Sequence, residues 1–507
     1  MLTKLVFYSH RCFNGYLLVF LLIFGLFLLL EGHFGIIQKT LQFIKALSVN
    51  KFSLPAFLLL AFLGLVYIVV IVYQKYPLNT DEFDYLFQAK TFLKGRWFNP
   101  APLHNFDFFG IVHSNDKWFS RYPPGWPFAL CLGLFFHIPS WIVNPIVSTV
   151  SLWVLYLLGN LLYSRAVVLA AIIFIISSPF FLFNGASYFA HPFCALCILL
   201  SAYCCYKLLL KPETSPEILC WAGVWAGWAF LTRYYTALII VPVLIEMMVK
   251  RKGIFFKKDL GYFLLGVLPF VIMYFLYNFQ LTGNLLLTPF QALSPEDHAR
   301  LNMSLAVKHL YILWDQQYWM SSSLFLFYFC VMLARFKSKG FYWIESAFLI
   351  LIISSHVFYP LLIEGYGDRY LYEGYFFGVL AVFSYLSQNM MQFQTSWFKR
   401  AILLSLIVGF IMNILIFPAI AGWNYWLSNS YLTLTRLVAQ RHLTHAIVLI
   451  PSHQQSKEYF TLTRNDPDLQ GDVLYAYDVN IEELRKNFPD RRFYRFFPHQ
   501  GIIGHSL

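Results

Sequence analysis

Long apolar runs separated by short polar gaps recur along most of this chain. A run of about 20 apolar residues can cross a bilayer as a helix, whereas a barrel strand needs only about 10 residues of alternating character. The region 125–163 is interrupted near Pro139, so it predicts a short half-helix followed by a span. The whole pattern predicts about 12 crossings, which are the runs 16–30, 54–73, 125–163, 166–183, 188–210, 218–232, 234–249, 260–281, 321–334, 341–363, 370–386 and 401–420.

Lysine and arginine are concentrated in alternate gaps between these runs. The gap 38–53 holds Lys39, Lys45 and Lys51 and no acid, so the positive-inside rule assigns it to the cytosol. The first run follows basic residues as a signal peptide would, but no small-residue cleavage site comes after it, and we expect it to be retained. Alternation then places three polar segments together on the non-cytosolic face, namely 75–124, 282–320 and 424–507.

The composition changes after Gly422, where the long apolar runs end. Segments 446–451, 473–478 and 492–497 have the character of strands, and 480–488 that of a short helix. The predicted organisation is therefore an N-terminal apolar segment with a basic cytosolic loop (1–53), a membrane domain (54–423) and a small non-cytosolic α/β domain (424–507).

The overall composition agrees with a membrane protein. Hydrophobic residues make up 59% of the 507 residues and charged residues 12%, against about 25% charged residues in soluble domains. The net charge of +12 is not gathered into a basic cluster interleaved with aromatic residues, so no nucleic-acid partner is predicted. The predicted fold class is an all-α polytopic membrane protein with a small C-terminal α/β appendage.

Neither the cysteines nor the histidines predict a metal site. Cys194 and Cys197 form a C-x-x-C pair, but it lies inside an apolar run and has no second ligand pair. His104, His113, His298 and His309 show no ligand spacing along the chain. A divalent metal is therefore not supported by the sequence.

The densest acidic segment of the chain, 79–85, directly follows the second apolar run. If a helix begins here, Asp81 and Tyr85 share one face at i, i+4. Helix capping is an alternative to catalysis, with Asn79 as N-cap and Glu82 at the third position. Capping explains one acid well but explains three acids poorly, because carboxylates are costly to remove from water at a membrane surface.

The segment 117–127 carries Arg121 and Tyr122 just before two prolines that fix the entry into the next helix. One interpretation is an aromatic anchor at the membrane interface. The alternative is a wall that binds an anionic lipid headgroup, with Arg121 and Tyr122 at headgroup depth.

Three further polar residues mark the ends of apolar runs. Arg233 interrupts 218–249, and a central arginine would cost at least about 2.5 kcal/mol, so we place it at the turn of a helical hairpin. Arg369 follows a glycine-containing turn at the start of a span, where it suits a phosphate unless Asp368 or Glu364 is its partner. His191 opens a span and is interpreted as an interface residue or a substrate contact.

These segments together resemble the GT-C superfamily of polytopic glycosyltransferases, in particular the branch of protein O-mannosyltransferases and the lipid A aminoarabinose transferase. That branch carries an acidic pair in its first outer loop, which Asp81 and Glu82 match, followed by Tyr85. The other matching segments are 122–127, 186–192, 229–233 and 367–371. The resemblance covers residues 54 to about 420.

The resemblance implies a polyprenyl-phosphate-linked sugar as donor, used on the non-cytosolic face of a bacterial inner membrane in cell-envelope chemistry. It implies Asp81 as general base and Glu82 as a group that orients the acceptor or the base, with inversion at the anomeric carbon. Donor and acceptor contacts are then expected from Tyr85, Arg121, Tyr122, His191, Arg233 and Arg369. The acceptor is a lipid, a glycan or a protein.

Two other functions stay open from the residues alone. A transporter or flippase of lipid-linked sugars would need charged residues deep within several spans, whereas this sequence keeps them at the ends. A non-catalytic membrane scaffold would have no use for the acidic outer loop.

Overall fold

A computed structural model describes residues 2–108, 110–211, 213–251, 254–293, 317–335, 342–356, 366–389, 397–451, 457–497 and 502–505. Most of the predicted outer loop 282–320 lies outside these residues, as do residues 357–363 of the predicted span 341–363 and Glu364.

The described chain is mainly helical. Its α-helices are numbered α1–α19 in chain order: Leu2–Phe34, Ile36–Val49, Ser53–Tyr67, Thr80–Leu93, Gly125–Phe135, Ser140–Leu162, Arg165–Ser177, Pro179–Gly185, His191–Leu210, Ile218–Thr232, Ile240–Lys250, Ile254–Thr282, Pro289–Leu293, Ser322–Arg335, Ala347–His356, Tyr372–Gln388, Trp397–Tyr431, Thr433–Gln440 and Ile481–Asn487. A π-helical turn, Ile68–Val72, extends α3.

Six of the described helices are long and apolar enough to cross a membrane, or seven if the bent pair α7–α8 counts as one span. The half-helix and span predicted for 125–163 correspond to α5 and α6. Four shorter apolar helices, α5 among them, accompany the long ones. The structure supports a multi-pass membrane protein, but the higher count predicted from the sequence is not confirmed.

Two predicted spans differ from the observed helices. The run 166–183 bends by 70° between α7 and α8, because Pro179 cannot donate the backbone hydrogen bond that would continue the helix. The run 234–249 contains a 3-10 turn, Thr236–Ile239, followed by α11 of only 11 residues. At 1.5 Å per residue, α11 is about 16 Å long and cannot cross the hydrocarbon core alone.

The membrane helices share one apolar core in which α10 packs against both α9 and α12, and α6 packs against α9. Glycines bring α10 and α12 into close contact. A Cβ atom at Gly223 would lie 2.0 Å from the Phe263 carbonyl oxygen, and one at Gly266 would lie 2.0 Å from the Cys220 carbonyl oxygen. Small residues at such crossings let two helix backbones approach and gain dispersion contacts.

The segment 75–124 consists of α4, a 3-10 turn (His104–Phe106) and a small antiparallel sheet. Its strands are β1 (Asn99–Pro100), β2 (Ile111–Ser114) and β3 (Lys117–Ser120), in the order β1-β3-β2. Asn115 and Asp116 form the β2–β3 turn, both with positive φ, as two-residue hairpin turns require.

The C-terminal residues form the predicted small α/β unit. Strands β4 (Ala446–Ile450), β5 (Val473–Tyr477), β6 (Arg492–Phe497) and β7 (Ile502–His505) follow the order β5-β4-β6-β7. The β5-β4-β6 strands are parallel and β7 is antiparallel. Helix α17 runs to Tyr431, past the predicted boundary at 423, and that boundary stays a prediction.

The outer segment and the C-terminal unit share a second apolar core. Phe87, Phe106 and Trp118 pack in one cluster with Leu474 and Leu484 of the C-terminal unit. Ion pairs add to this contact, since Asp468 of the C-terminal unit pairs with Lys94 and Arg96 of the outer segment. The two segments are therefore in contact along α4 and the residues that directly follow it.

Candidate active site

The N-terminus of α4 is fixed by a complete capping box. The Asn79 side chain accepts a hydrogen bond from the Asp81 backbone N–H at 3.1 Å. The Glu82 carboxylate in turn accepts one from the Asn79 backbone N–H at 3.0 Å. The capping alternative from the sequence is thus confirmed for Asn79 and Glu82. It does not account for the Asp81 carboxylate, which takes part in no cap.

Glu82 is buried, and its two oxygens accept four hydrogen bonds. The donors are the backbone N–H groups of Leu78, Asn79 and Tyr188 and the hydroxyl of Tyr366. Burial raises the pKa of Glu82 to about 7, although the backbone hydrogen bonds oppose that shift. The contacts tie the start of α4 to the turns around Tyr188 and Tyr366, so Glu82 acts in the structure as a positioning group.

Asp81 lies between two guanidinium groups. Its Oδ1 is 3.2 Å from Arg121 Nη2 and its Oδ2 is 3.1 Å from Arg369 Nη2. Burial alone would raise the pKa of Asp81, but Arg369 and Arg121 outweigh it and hold the pKa below its ordinary value. Asp81 is therefore a carboxylate at neutral pH, and 15% of its side chain remains exposed.

Aromatic rings line both arginines. The Arg369 guanidinium lies 4.5 Å from the Phe189 ring centre and 5.2 Å from that of Tyr370. Arg121 lies 5.1 Å from the Tyr122 ring, and its Nη2 donates to the Tyr122 hydroxyl. Such rings attract the cation and keep it poorly hydrated, which strengthens its attraction for an anion.

A second ionic group adjoins the first across the Tyr370 ring. Arg233 lies 5.3 Å from the centre of that ring, and its Nε is 3.2 Å from the buried Glu373. His191 Nδ1 is also 3.2 Å from Glu373. Arg233, Arg369 and His191 therefore surround Tyr370, although they come from separate parts of the chain.

The ring of Tyr85, one turn after Asp81 in α4, contacts the ring of Tyr122. Their ring centres are 4.6 Å apart with a tilt of 46°. The i, i+4 arrangement predicted for Asp81 and Tyr85 thus exists within α4. Tyr85 is buried, and its ring packs against that of Tyr122.

Two acids of this region were given no individual role from the sequence. Glu373 lies in the first turn of α16, and an acid inside an apolar run is a recognisable signal for function. Asp84 is completely buried, and its Oδ2 is 3.8 Å from Arg121 Nε. Burial raises the pKa of Asp84 well above its ordinary value, an effect that Arg121 only partly opposes.

Gly110 covers the Asp84 carboxylate. Its φ is +91°, and an added Cβ atom would lie 1.8 Å from Asp84 Oδ2. Gly110→Ala should therefore displace Asp84 and lower the thermal midpoint of the purified protein by several degrees. Gly95→Ala is the matched control, because Gly95 also has a positive φ but faces open space. Equal midpoints for the two variants would show that contact with Asp84 is unimportant.

The structure brings two of the histidines, His104 and His113, to the same aspartate. His104 Nδ1 lies 2.6 Å from Asp107 Oδ2, and His113 Nδ1 lies 3.0 Å from Asp107 Oδ1. All three residues offer ligand atoms within 4.8 Å of one another. Their spacing along the chain does not reveal this, because the chain turns back between Asp107 and β2, where the Ile111 N–H donates to the Phe108 carbonyl.

Comparisons with known proteins can now be set beside this geometry. Residues 126–278 match the protein family described as dolichyl-phosphate-mannose-protein mannosyltransferase. The fold is similar to ArnT from Cupriavidus metallidurans bound to undecaprenyl phosphate, with a TM-score of 0.54, 9% identity, and coverage of 89% of this chain and 94% of that one. The predicted resemblance is confirmed as a similarity of fold over most of the chain and as a family match over residues 126–278.

Other comparisons add less. The oligosaccharyltransferase of Archaeoglobus fulgidus aligns at a TM-score of 0.47 and 12% identity, over 72% of this chain and 56% of that one. Residues 446–504 match a domain family of unknown function. A search of curated protein sequences finds no significant match.

The GT-C family match covers only part of the candidate site. It includes His191 and Arg233 but not Asp81, Arg121 or Arg369. Roles for these residues therefore rest on the geometry of this chain.

Proposed function

We propose that this chain is a membrane glycosyltransferase that moves a sugar from a polyprenyl-phosphate donor to an acceptor hydroxyl on the non-cytosolic face. One observation carries the proposal: the Asp81 carboxylate lies between the guanidinium groups of Arg121 and Arg369. This group stands at the first turn of α4, shortly after a helix able to cross the membrane. In this proposal, Asp81 as the base and the two arginines as phosphate-binding cations lie side by side at the membrane surface, where a lipid donor would meet an acceptor from the non-cytosolic side.

Donor binding is assigned to Arg369, Arg121 and Arg233. A guanidinium offers a planar set of donors that matches phosphate oxygens, and charge-assisted bonds of this kind are the strong ones. The phosphate would share the arginines with Asp81 and draw them partly away from it. Asp81 then becomes more basic when the donor is bound. The undecaprenyl phosphate bound by ArnT supports the choice of a lipid phosphate as leaving group.

The proposed reaction is a single displacement. The acceptor oxygen forms a bond to the anomeric carbon while the bond from that carbon to the phosphate oxygen breaks. The acceptor proton passes to Asp81, and the negative charge that develops on the departing lipid phosphate is stabilised by the arginines. Attack opposite the leaving group inverts the anomeric configuration.

Supporting roles follow from the contacts. Glu82 holds α4 in place, so that Asp81 keeps its position between the arginines. Tyr122, in contact with the Tyr85 ring, forms one wall of the proposed active site. On another side of the site, His191 and Arg233 both contact Glu373, so His191 helps to position the Glu373 carboxylate beside Arg233.

We also propose that the outer segment and the C-terminal unit face away from the cytosol. An impermeant maleimide applied to intact cells should label Asn115→Cys and Gln470→Cys, whereas Lys211→Cys should react only after permeabilisation. A background without Cys131, Cys220 and Cys330 removes those native thiols of the described residues that are not buried. If Asn115→Cys is protected in intact cells, the proposed site lies on the wrong side for its acceptor.

Purified protein in vesicles tests the function itself. A panel of radiolabelled polyprenyl-phosphate sugars is supplied with lipid, glycan and protein fractions of the cell envelope. Glycosyl transfer is expected for one donor, with release of the lipid phosphate. A flippase would move an intact donor across the bilayer, and a scaffold would do neither.

A further inference from the structure

A cluster of potential metal ligands lies in the outer segment. His104 belongs to the 3-10 turn, Asp107 follows it directly, and His113 belongs to β2. Both imidazoles turn Nδ1 toward the same carboxylate, one to each oxygen. The two rings stack, with centres 4.4 Å apart and a tilt of 26°. One residue of the turn, the residue after it and one residue of the strand therefore place three potential ligand atoms within 4.8 Å of one another.

We propose that His104, Asp107 and His113 bind a divalent transition-metal ion of the zinc class. Imidazole nitrogen and carboxylate oxygen are ligands that zinc accepts at about 2.0–2.2 Å, whereas magnesium and calcium prefer oxygen alone. A tetrahedral ion needs ligand atoms about 3.3 Å apart at these bond lengths. The two imidazole–carboxylate contacts are 2.6 and 3.0 Å and go to different oxygens of Asp107, and one ligand atom from each of the three residues lies within 4.8 Å of the others. His104 is 82% exposed, so a small side-chain rotation meets this requirement and leaves a fourth position open to water.

The proposed metal would fix the contact between the outer segment and the C-terminal unit. Asn105, next to His104, donates to the Tyr477 carbonyl at 3.1 Å and also to the Val479 carbonyl. Phe106 is buried beside Phe488, with ring centres 5.7 Å apart. Joining the 3-10 turn to β2 would hold Asn105 and Phe106 in these positions, and therefore hold the C-terminal unit against the outer segment.

Zinc titration of the full-length, metal-free protein in detergent tests this inference without any transfer assay. Competition with a chromophoric chelator should show one zinc equivalent that is absent from His113→Ala and Asp107→Ala. Loss of a direct ligand should weaken binding by at least the roughly 10–100-fold seen for outer-shell partners. His442→Asn removes an exposed histidine elsewhere, at a positive φ that asparagine tolerates, and should bind zinc like the native protein.

A second readout concerns the contact between the segments. Zinc should raise the thermal midpoint of the native protein and of His442→Asn, but not that of His113→Ala, whereas magnesium should have no effect on any of them. Equal zinc affinity in the native protein and His113→Ala, or no binding by either, would overturn the proposal. Because both readouts are independent of sugar transfer, they remain valid if the proposed function is wrong.

Discussion

Replacing Asp81 by asparagine should lower turnover by about 10²–10⁴-fold, the usual contribution of a general base. The amide keeps the size of the side chain but accepts no proton from the attacking hydroxyl. Donor affinity should be unchanged or higher, because Arg121 and Arg369 lose a competing carboxylate. The low pKa of Asp81 means that it is already ionised at neutral pH. Steady-state kinetics together with donor binding separate the two effects.

Asp116→Asn is the matched control for this variant. Asp116 lies at the exposed β2–β3 turn of the same outer segment, at a positive φ that asparagine accepts. It should leave both turnover and donor affinity at the native level. Near-native turnover of folded Asp81→Asn would remove Asp81 from the role of base and direct attention to Glu82.

The second large effect is expected at Arg369. Arg369→Ala should weaken donor use about 10–100-fold, close to the 1.5–3 kcal/mol of one charge-assisted hydrogen bond. Arg369→Lys should recover only part of the loss, because a lysine keeps the charge but loses the planar pair of donors. The change should appear mainly in the donor KM, since the cation is assigned to phosphate binding.

Arg96→Ala serves as the control for Arg369. Arg96 also pairs with an aspartate, Asp468, but at an exposed position away from the site. It should leave the donor KM unchanged. If Arg369→Ala only lowers the yield of protein, with native activity per folded molecule, then Arg369 is a structural partner of Asp81.

Local patterns in the sequence were sufficient for much of the fold. The Asn79 cap, the half-helix before Pro139 and β4–β6 follow from residue types within a few positions of one another. The bend at Pro179 also had a local signal, since the proline itself indicates a break. The β2–β3 hairpin has one in Asn115 and Asp116, residue types that favour tight turns.

The candidate site was only partly predictable because its contacts join distant segments. The sequence indicates a phosphate for Arg369, or Asp368 or Glu364 as its partner, but contains no sign that Arg369 donates to Asp81, 288 positions away. The joint contact of His191 and Arg233 with Glu373 likewise depends on the packing of α9 and α16. Periodicity and local charge contain no information on which helices meet, so the sequence indicates the residue types of the site but not the contacts of Arg369 with Asp81 or of Glu373 with Arg233.

A single-turnover experiment tests the central claim most directly. Vesicles containing native protein or Asp81→Asn are loaded with radiolabelled polyprenyl-phosphate sugar, and acceptor is then added. We expect both proteins to retain the donor and only the native protein to convert it rapidly to glycosylated acceptor and lipid phosphate. Transfer at the native rate by Asp81→Asn, or passage of the intact donor across the bilayer without transfer, would contradict the account.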